Sequence, residues 1–403
     1  MKTLLKIAWR NVWRNKLRSG IVMLSMGLGI WSGLFIMAMT LGMNEQRMSG
    51  AIDSYLSHIQ IHHPKFQDDY NKKYTIIDDG ALTAQLDTIS GIKSYSQRLV
   101  LTGMASTAKG NYGVNIMGIF PEKEKNVTSI SQQLIEGTYL YKLKRNPIVI
   151  GKKLADRLGL KINSKVVLNF LDENNNTIAG SFRVEGIFKT SSSIFDEGTV
   201  FVKYDDISQL AGLEGKFHEI AILTDNINDV KAVKSKIVTS NLVETWDEIS
   251  PELGYTQDLM ENFMMIFMAI VLMALAFGII NTMLMAILER RRELGMLLCI
   301  GMSKRRVFGM ILFETVFIAF VATPLGMLFS YLSITYFGKN GIDLSAVSAG
   351  LESWGAGSRV FTHLPLNFYW SITLMTLIVA FISALIPARR ALKLKPAEAV
   401  KVI

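Results

Sequence analysis

Four apolar stretches limit what this chain can fold into more than any other feature. They are residues 19–43, 262–288, 307–337 and 366–386. Each is long enough to cross a hydrocarbon core of ~30 Å as a helix, which takes ~20 apolar residues. Between the first and the second lie 218 residues, 44–261, of ordinary globular composition. The sequence therefore predicts an α-helical membrane protein with four transmembrane helices, arranged one plus three, and a large domain inserted after the first helix.

Basic residues are concentrated in short segments beside the apolar stretches. Residues 1–18 carry six Lys or Arg and no acid, residues 289–306 carry six and two acids, and residues 387–403 carry five and one. Short basic flanks mark the cytoplasmic side of a membrane protein. We therefore expect both termini and the 289–306 loop to be cytoplasmic, and the 44–261 domain and the 338–365 loop to be extracytoplasmic. The basic residues responsible for the net charge of +9 flank the membrane spans, so we expect no nucleic-acid partner.

The first 18 residues have the pattern of a cytoplasmic amphipathic helix. Apolar residues recur every four positions and basic residues do the same, which gives a helix adjacent apolar and basic stripes. The stripes consist of Leu5, Trp9, Trp13 and Leu17, and of Lys6, Arg10, Arg14 and Arg18. Two roles stay open for this helix, anchoring with orientation and transmission of force. The apolar run that follows is too long for the h-region of a signal peptide, so we expect an uncleaved anchor.

Small and sulphur-containing residues stand out in the first two apolar stretches. Gly29 and Gly33 form a G-x-x-x-G pattern, which lets a second helix approach closely. Packing within the chain and dimer contact with a second subunit both fit this pattern. Met264, Met265 and Met268 have adaptable thioether side chains, which suit either a lining for the acyl chains of a substrate or plain helix packing.

Glu314 is the one formal charge within the four apolar stretches. A carboxylate inside a membrane span is a functional candidate because it is costly to bury there. The alternative is a structural ion pair with Lys304 or Arg305 near the cytoplasmic end of the third span.

The 44–261 segment has the mixed pattern of an α+β domain. Alternating and β-branched runs predict strands near residues 57–61, 94–101, 114–120, 166–170, 181–188, 198–202 and 219–223. Helical patterns occur near residues 151–160, 204–211, 227–240 and 248–262. The mixture favours two subdomains over one layered sheet.

The sequence contains no motif for catalysis or for nucleotide binding. It has neither the phosphate loop G-x-x-x-x-G-K-[ST] nor the nucleophile elbow G-x-S-x-G. His58, His62 and His63 lie close together, but no cysteine or spaced carboxylate completes a metal shell, so we expect no metal site. Cys299 is the single cysteine, so no intrachain disulfide can form. We expect no catalytic residues in this chain.

The 289–306 loop is the most specific segment of the sequence. A cluster of acids and bases precedes Gly295, an apolar run at 296–300 follows, and Gly301 closes it. Glycines at both ends permit a short helix that offers an apolar knob flanked by charge. Such an element suits docking of a partner protein, and the alternative is a plain turn. The candidate docking residues are Glu289, Arg290, Arg292, Glu293, Leu294, Gly295, Met296, Leu297, Leu298, Ile300 and Gly301.

This loop resembles the coupling helix of the FtsX-like ABC transporter permeases, which include macrolide-exporter (MacB) and lipoprotein-releasing (LolCDE) systems. The family's E-R-x-R-E-[IL]-G-x(5)-G motif is matched by Glu289, Arg290, Arg292, Glu293, Leu294, Gly295 and Gly301. Its terminal motif is matched by Pro387, Ala388, Ala391, Pro396, Glu398 and Ala399. Segments 10–19 and 146–168 also resemble the family. Segments 191–210 and 243–254 look most like the lipoprotein-releasing permeases of the LolC and LolE type.

The resemblance implies a permease subunit of a mechanotransmission ABC transporter in the bacterial inner membrane. Such a subunit works with a cytoplasmic ABC ATPase dimer, which binds ATP and Mg²⁺, and with a second permease that is identical or related. This chain itself would hold no cofactor. The implied activity is extraction or release of lipoproteins, or of another amphiphilic cargo, from the outer leaflet.

Several alternatives stay open beside lipoprotein release. The polar turn at 171–180 lacks the proline-bearing extension by which one lipoprotein-releasing subunit recruits a periplasmic carrier. Recruitment of a carrier by this chain is therefore in doubt. Efflux or peptide export with a periplasmic adaptor is one alternative, and signalling without transport is another. A membrane-anchored receptor without an ATPase is the alternative from a different class.

Overall fold

The chain divides into a membrane unit and an inserted unit. The computed structural model describes residues 2–76, 80–141 and 146–392. The membrane unit consists of Met1–Met43, Asp258–Ile342 and Phe361–Ile403, and the inserted unit of Asn44–Gln257 and Asp343–Val360. The 338–365 loop predicted from the sequence thus gives most of its residues to the inserted unit.

Helices and strands follow the predicted order along the described ranges. The α-helices are α1 (Lys2–Arg14), α2 (Lys16–Ala51), α3 (Phe66–Asp69), α4 (Ala81–Thr88), α5 (Pro121–Glu124), α6 (Lys152–Leu158), α7 (Ser193–Gly198), α8 (Tyr204–Ala211), α9 (Val230–Lys234), α10 (Trp246–Ile249), α11 (Pro251–Glu289), α12 (Arg291–Cys299), α13 (Lys304–Asn340), α14 (Ser348–Trp354) and α15 (Leu366–Leu392). The strands are β1 (Ile59–His62), β2 (Ile92–Thr107), β3 (Gly110–Ile119), β4 (Leu134–Gly137), β5 (Pro147–Gly151), β6 (Lys165–Leu171), β7 (Thr177–Phe188), β8 (Thr199–Lys203), β9 (Glu219–Thr224), β10 (Leu242–Thr245), β11 (Ile342–Asp343) and β12 (Arg359–Val360).

Four helices in the described part of the chain are long and apolar enough to cross a membrane. They are α2, α11, α13 and α15, and each contains one of the predicted apolar stretches. A helix satisfies its own backbone hydrogen bonds, which a segment in hydrocarbon must do. The predicted arrangement of one span, an inserted domain and three further spans is confirmed.

Close contacts between glycine and backbone hold the spans together in the membrane unit. A Cβ added to Gly326 in α13 would lie 2.8 Å from the carbonyl oxygen of Gly27 in α2. A Cβ on Gly42 would collide with the carbonyl oxygen of Phe361. Small residues allow such approach of helix backbones. The sequence does not mark these glycines as contact sites, because periodicity along one helix does not show which helix lies opposite.

The inserted unit is built on one ten-stranded sheet. Its order is β10-β1-β9-β2-β3-β8-β5-β7-β4, and β6 pairs with β2 and β7. The long strand β2 is the reason for this continuity, because its residues 92–98 pair with β9, residues 103–106 with β6, and residues 98–107 with β3. One continuous sheet thus runs through the inserted unit, and the division of this unit into two subdomains stays a prediction.

Side chains alternate across β2 and separate an apolar face from a face that carries a buried charge. Leu99 and Leu101 belong to the largest apolar cluster of the unit. Arg98 points to the opposite face and is 1% exposed. Its guanidinium donates to Glu124 Oε1 at 2.7 Å and to Glu219 Oε1 at 2.5 Å. We call Arg98, Glu124 and Glu219 the buried charge cluster.

The segment Asp343–Val360 is held to the rest of the inserted unit by side-chain contacts. Lys189 Nζ donates to Glu352 Oε1 at 2.9 Å, and the Arg47 guanidinium lies 4.9 Å from the centre of the Trp354 ring. A cation over an aromatic face is attractive. The segment between the third and fourth spans is therefore packed against this unit.

We expect the stability of the inserted unit to fall as pH rises through the titration of Asp196. This carboxyl is 3% exposed and accepts from Thr190 N at 3.0 Å and from Thr190 Oγ1 at 2.7 Å. Burial raises the pKa of Asp196 to about 6, from 3.8. A carboxyl whose pKa is raised by folding stabilises the fold below its unfolded pKa and loses that contribution as pH rises through the folded value.

Asp196→Asn should therefore raise the melting temperature at pH 7.5 and flatten its dependence on pH between 4.5 and 7. Thermal melting of the detergent-purified chain across that range measures the effect. The exposed Asp205→Asn is the matched control. Equal slopes for the wild type and Asp196→Asn would contradict the prediction.

Candidate functional site

The 289–306 loop folds as a short helix between two spans. The helix α11 ends at Glu289, α12 covers Arg291–Cys299, and α13 starts at Lys304. Gly301 lies in the turn after α12 with a φ of 96°. Only glycine adopts this backbone conformation without steric cost. The prediction of a short helix closed by Gly301 is confirmed, whereas Gly295 lies inside α12 and not at its end.

One side of α12 is buried on the membrane unit and the other is exposed. Leu294 is 3% exposed and Gly295 is buried. Leu297 and Leu298 are partly buried against the apolar cluster of the spans.

Three of the exposed residues of this segment form a surface that we call the docking face. It consists of Arg292, Met296 and Ile300. Met296 is 46% exposed and Ile300 is 85% exposed. Large apolar side chains held outward by a buried opposite side are typical of a surface that binds a partner.

Glu314 is paired with Arg290 of the loop. Arg290 Nη1 donates to both carboxylate oxygens of Glu314, at 3.0 and 3.2 Å. The side chains are 14% and 10% exposed. The expected partners Lys304 and Arg305 are therefore wrong. Arg290 immediately precedes α12 and is brought beside α13 by the fold, whereas Lys304 and Arg305 begin α13 about two turns earlier.

A second ion pair joins the N-terminal helix to the loop. Arg14 Nη2 donates to Glu293 Oε2 at 2.6 Å, and Arg290 Nε donates to the same oxygen at 3.2 Å. The hydrogen bond from Arg14 lowers the pKa of Glu293 below its usual value, and burial opposes this shift less strongly. These contacts form a continuous chain from α1 through the loop to α13.

Arg18 and Glu289 form a further ion pair at the start of the loop. Sequence reasoning missed the partners of Arg14 and Arg18. The available signal was a basic stripe at four-residue spacing and a loop with two acids four residues apart. Charge complementarity between the two segments was visible, but their proximity was not.

The N-terminal helix packs differently from its sequence stripes. Ala8 and Val12 are fully buried, while Trp9 and Trp13 are 41% and 45% exposed. The Trp9 ring nevertheless lies 5.4 Å from that of Phe317 in α13. The helix is therefore bound to the membrane unit by its small residues, and the tryptophans cover the outside of that contact.

Gly29 and Gly33 contact the second span of the same chain. A Cβ on Gly29 would lie 2.6 Å from Leu275 Cδ2, and one on Gly33 would lie 2.9 Å from Met268 Cε. Of the two alternatives for this pattern, the structure shows packing within the chain. Met268 is fully buried by this contact. Its proposed place in a substrate lining is therefore wrong for this structure.

Met264 and Met265 are partly buried against the same apolar cluster. Both side chains therefore take part in helix packing. Each also stays partly accessible, so contact with a substrate stays a prediction.

Other residues singled out in the sequence lie behind this site, as do Ala388 and Ala391 in the apolar cluster that contains Leu294, or away from it. In the terminal motif, Pro387, Ala388 and Ala391 are buried in α15, and Pro396, Glu398 and Ala399 lie outside the described residues. His58 Nδ1 lies 2.7 Å from Thr224 Oγ1, and the His63 ring stacks on Tyr74. Among the described residues there is no group of three or more His, Cys, Asp or Glu side chains that could hold a metal.

Ion pairs tie the loop to the helices around it. The loop is joined to α13 by Arg290 and Glu314, to α1 by Arg14, and to α11 by the backbone at Glu289. Separating a partly buried ion pair is costly, because it leaves each charge without its partner. The arrangement can transmit motion, and it contains no group placed for a chemical step.

Two protein families match this chain. Residues 265–396 match the FtsX-like permease C-terminal family, and residues 19–240 match the MacB-like periplasmic core domain. The second match alone covers more than half of the chain.

The similar proteins include transporter permeases of low sequence identity. The lipoprotein-releasing system transmembrane protein LolC of Xylella fastidiosa (strain 9a5c) is 24% identical, over 70% of this chain and 72% of LolC. The uncharacterized ABC transporter permease YknZ of Bacillus subtilis (strain 168) is 20% identical over 98% of both chains. The solved periplasmic region of MacB from Actinobacillus actinomycetemcomitans has a TM-score of 0.35 and 12% identity, over 51% of this chain and 95% of that one.

Proposed function

The chain belongs to the FtsX-like permeases that carry a MacB-like periplasmic core domain, and on that premise we propose that it extracts or releases lipoproteins from the outer leaflet. It is an ABC transporter permease and a multi-pass protein of the inner membrane. A separate cytoplasmic ATPase dimer binds ATP and Mg²⁺. Both termini and the 289–306 loop face the cytoplasm with that dimer.

The docking face carries this proposal. Met296 and Ile300 are exposed apolar residues on a helix whose opposite side is buried. The loop is tied to α1 and α13 by ion pairs, so that it can receive a push without folding away. Closure of the ATPase dimer presses on this face. No phosphate loop exists in the sequence, which agrees with hydrolysis on another subunit.

The second span is the route from the docking face to the inserted unit. The helix α11 is continuous from Pro251 to Glu289, a length of ~58 Å at 1.5 Å per residue. Its first residues belong to the inserted unit and its last residue adjoins the loop. A tilt at the loop end therefore moves the inserted unit, and the work is done on cargo outside the membrane.

Lipoprotein cargo is favoured by the relatives named LolC, which are 21–24% identical to this chain. A second permease, identical or related, completes the transporter, and cargo enters sideways between the first span of one subunit and the second span of the other. The turn between β6 and β7 has five residues, 172–176, which leaves no extension for recruiting a carrier. We propose that this chain binds no carrier by that turn.

Affinity purification of the tagged chain in mild detergent, followed by mass spectrometry, tests the proposal. We expect an ABC ATPase, a lipoprotein and, for a heterodimer, a second permease. Recovery of an ATPase with a periplasmic adaptor would replace lipoprotein release by efflux. Efflux with a periplasmic adaptor is the second candidate function, and it is supported by the MacB-like match over residues 19–240. Absence of any ATPase would reject the transporter assignment and favour an anchored receptor.

Gly301→Val should uncouple ATP hydrolysis from transport. Open space surrounds a Cβ at this position, but its φ of 96° strains any other residue. The turn must change its conformation, so the docking face moves while the spans still fold. A bulky residue at the buried Gly295 should have the same effect. We expect transport per ATP hydrolysed to fall at least tenfold in reconstituted complexes.

Gly309→Ala is the matched control for the Gly301 variant. It lies in α13 with open space at its Cβ and no positive φ, so it should keep full coupling. Normal coupling in both Gly301→Val and Gly309→Ala would argue against the docking role.

A further inference from the structure

A cavity of about 400 Å³ lies over the polar face of the sheet in the inserted unit. Its floor is set by strand registers, because His62 in β1 lies opposite Glu219 in β9, and Glu219 lies opposite Arg98 in β2. Residues paired directly across strands point to the same face. His62 and Glu219 both line the cavity, with Gln60 beside them.

Glu219 in the floor of the cavity belongs to a group of neighbouring charged side chains that contains more acids than bases. Arg98 is shared by two carboxylates, Glu124 and Glu219. A third carboxylate, Glu244, lies with Oε2 2.8 Å from His62 Nε2. Three acids thus face one guanidinium and one imidazole. Glu219 keeps 12% of its side chain exposed, which leaves this acid in reach of a ligand in the cavity it lines.

His62 supplies an independent sign that the floor is incomplete. The residue is 1% exposed, yet its Nδ1 has no hydrogen-bond partner in the described part of the chain. Its other nitrogen is near Glu244 and near Gln67 Nε2, at 3.0 Å. A buried polar atom without a partner costs free energy, which a ligand or its bound water can recover.

The walls above this floor are aromatic. Tyr55, Phe66, Tyr70 and Phe195 line the cavity from three different segments, since Tyr70 directly follows the helix α3 that begins at Phe66. Tyr55 and Phe195 stack with ring centres 4.7 Å apart, so this wall is ordered. Aromatic faces around a carboxylate favour a cation on an apolar body, because the ring faces and the acid are both negative.

We propose that this cavity binds a small amine carried on an apolar or aromatic body. The ammonium group lies toward Glu219 and the apolar part packs between Phe66 and Phe195. The ligand supplies the positive charge that the floor lacks. This site is separate from the 289–306 loop and its occupancy does not depend on the proposed transport.

Phenethylamine is the probe, and phenethyl alcohol is the uncharged isostere. Binding is measured by isothermal titration with the full-length chain in lipid nanodiscs at pH 7, with empty nanodiscs subtracted. We expect saturable binding of the amine, at least tenfold tighter than binding of the alcohol. Equal affinity for both probes, or no binding above that of empty nanodiscs, would overturn the proposal.

Two substitutions separate this site from general attraction of a cation. Asn115 is exposed at the rim of the cavity, so Asn115→Lys should keep the fold and weaken amine binding about fivefold by charge repulsion. Asn111→Lys adds the same charge to the same strand away from the cavity and should change nothing. Equal weakening by both variants would show that the amine is not in this cavity.

Glu219→Gln removes the proposed anion while Glu124 keeps its ion pair with Arg98. We expect at least a tenfold loss of amine affinity with the alcohol unaffected. Undiminished amine binding in folded Glu219→Gln protein would reject Glu219 as the recognising acid and with it the proposal. If Glu219→Gln does not fold, the comparison of Asn115→Lys with Asn111→Lys tests the proposal instead.

Discussion

Glu314→Gln should release the 289–306 loop from the third span and abolish coupled transport. The substitution leaves Arg290 Nη1 without its counter-charge, while the guanidinium, 14% exposed, keeps the contact of its Nε with Glu293 at 3.2 Å. Breaking one side of such a buried pair costs about 3–5 kcal/mol. Arg290 must then leave its position to reach water, and it takes the start of α12 with it. We expect ATP hydrolysis to persist and transport to fall at least a hundredfold.

The single cysteine gives a readout of this change that does not require an ATPase. Cys299 is exposed at the end of α12, so a nitroxide on it reports how firmly the helix is held. We expect the spectrum of Glu314→Gln to shift from an immobilised to a mobile component. An unchanged spectrum would contradict the anchoring role of Glu314, even if transport were lost.

Two variants control for the charge change itself. Glu289→Gln breaks the ion pair between Glu289 and Arg18. The Glu289 side chain is 44% exposed, and exposed ion pairs contribute little to stability. It should leave the nitroxide immobilised. Exchange of the charges, Arg290→Glu with Glu314→Arg, should restore part of the coupling, whereas either single change should not.

Arg98→Met should strongly destabilise the inserted unit. It leaves Glu124 and Glu219 buried without the guanidinium that lies within 2.7 Å of both. The expected loss is about 3–5 kcal/mol, which corresponds to roughly 10 °C in melting temperature for a unit of this size. Arg98 Nη1 also donates to the carbonyl oxygen of Tyr55 at 2.8 Å, so the segment after α2 loses a contact as well.

The defect of Arg98→Met should grow with pH. Burial raises the pKa of Glu219, and Arg98 is the main group that lowers it. Without Arg98 this pKa rises further, so the folded state favours the protonated acid and loses stability as pH rises. The melting temperature of the variant should lie closer to that of the wild type at pH 5 than at pH 8. A defect that is equal at both pH values would contradict the buried-charge account.

Arg157→Met is the matched control for Arg98→Met. Arg157 pairs with Glu197, but its side chain is 56% exposed. Water solvates the charges of an exposed ion pair, so loss of the pair changes the stability little. We expect a change of melting temperature no larger than a few degrees at either pH.

Local patterns in the sequence were sufficient for the helices. The four apolar stretches became α2, α11, α13 and α15, because length and hydrophobicity alone decide whether a segment can span a membrane. The pattern at 204–211 became α8 with the same bounds. Gly301 was recognised because a tight turn needs a residue that tolerates positive φ.

Long-range pairing was beyond the sequence. Nothing near Glu314 indicated Arg290 as its partner, and the nearby Lys304 and Arg305 were preferred because only sequence distance was known. The continuity of the sheet was not predicted for the same reason, since β2 joins strands that are far apart in the chain. The buried charge cluster draws on residues 98, 124 and 219.

The sequence by itself thus determined the four spans, the place of the inserted domain and the 289–306 loop as the candidate docking element. Each depends on composition or spacing within one segment. The tertiary structure alone decided that Arg14 and Arg290 tie this loop to α1 and α13, and that a charged cavity lies over the sheet. Ion pairs and cavities arise from side chains brought together from distant segments, and neither periodicity nor local charge encodes that proximity.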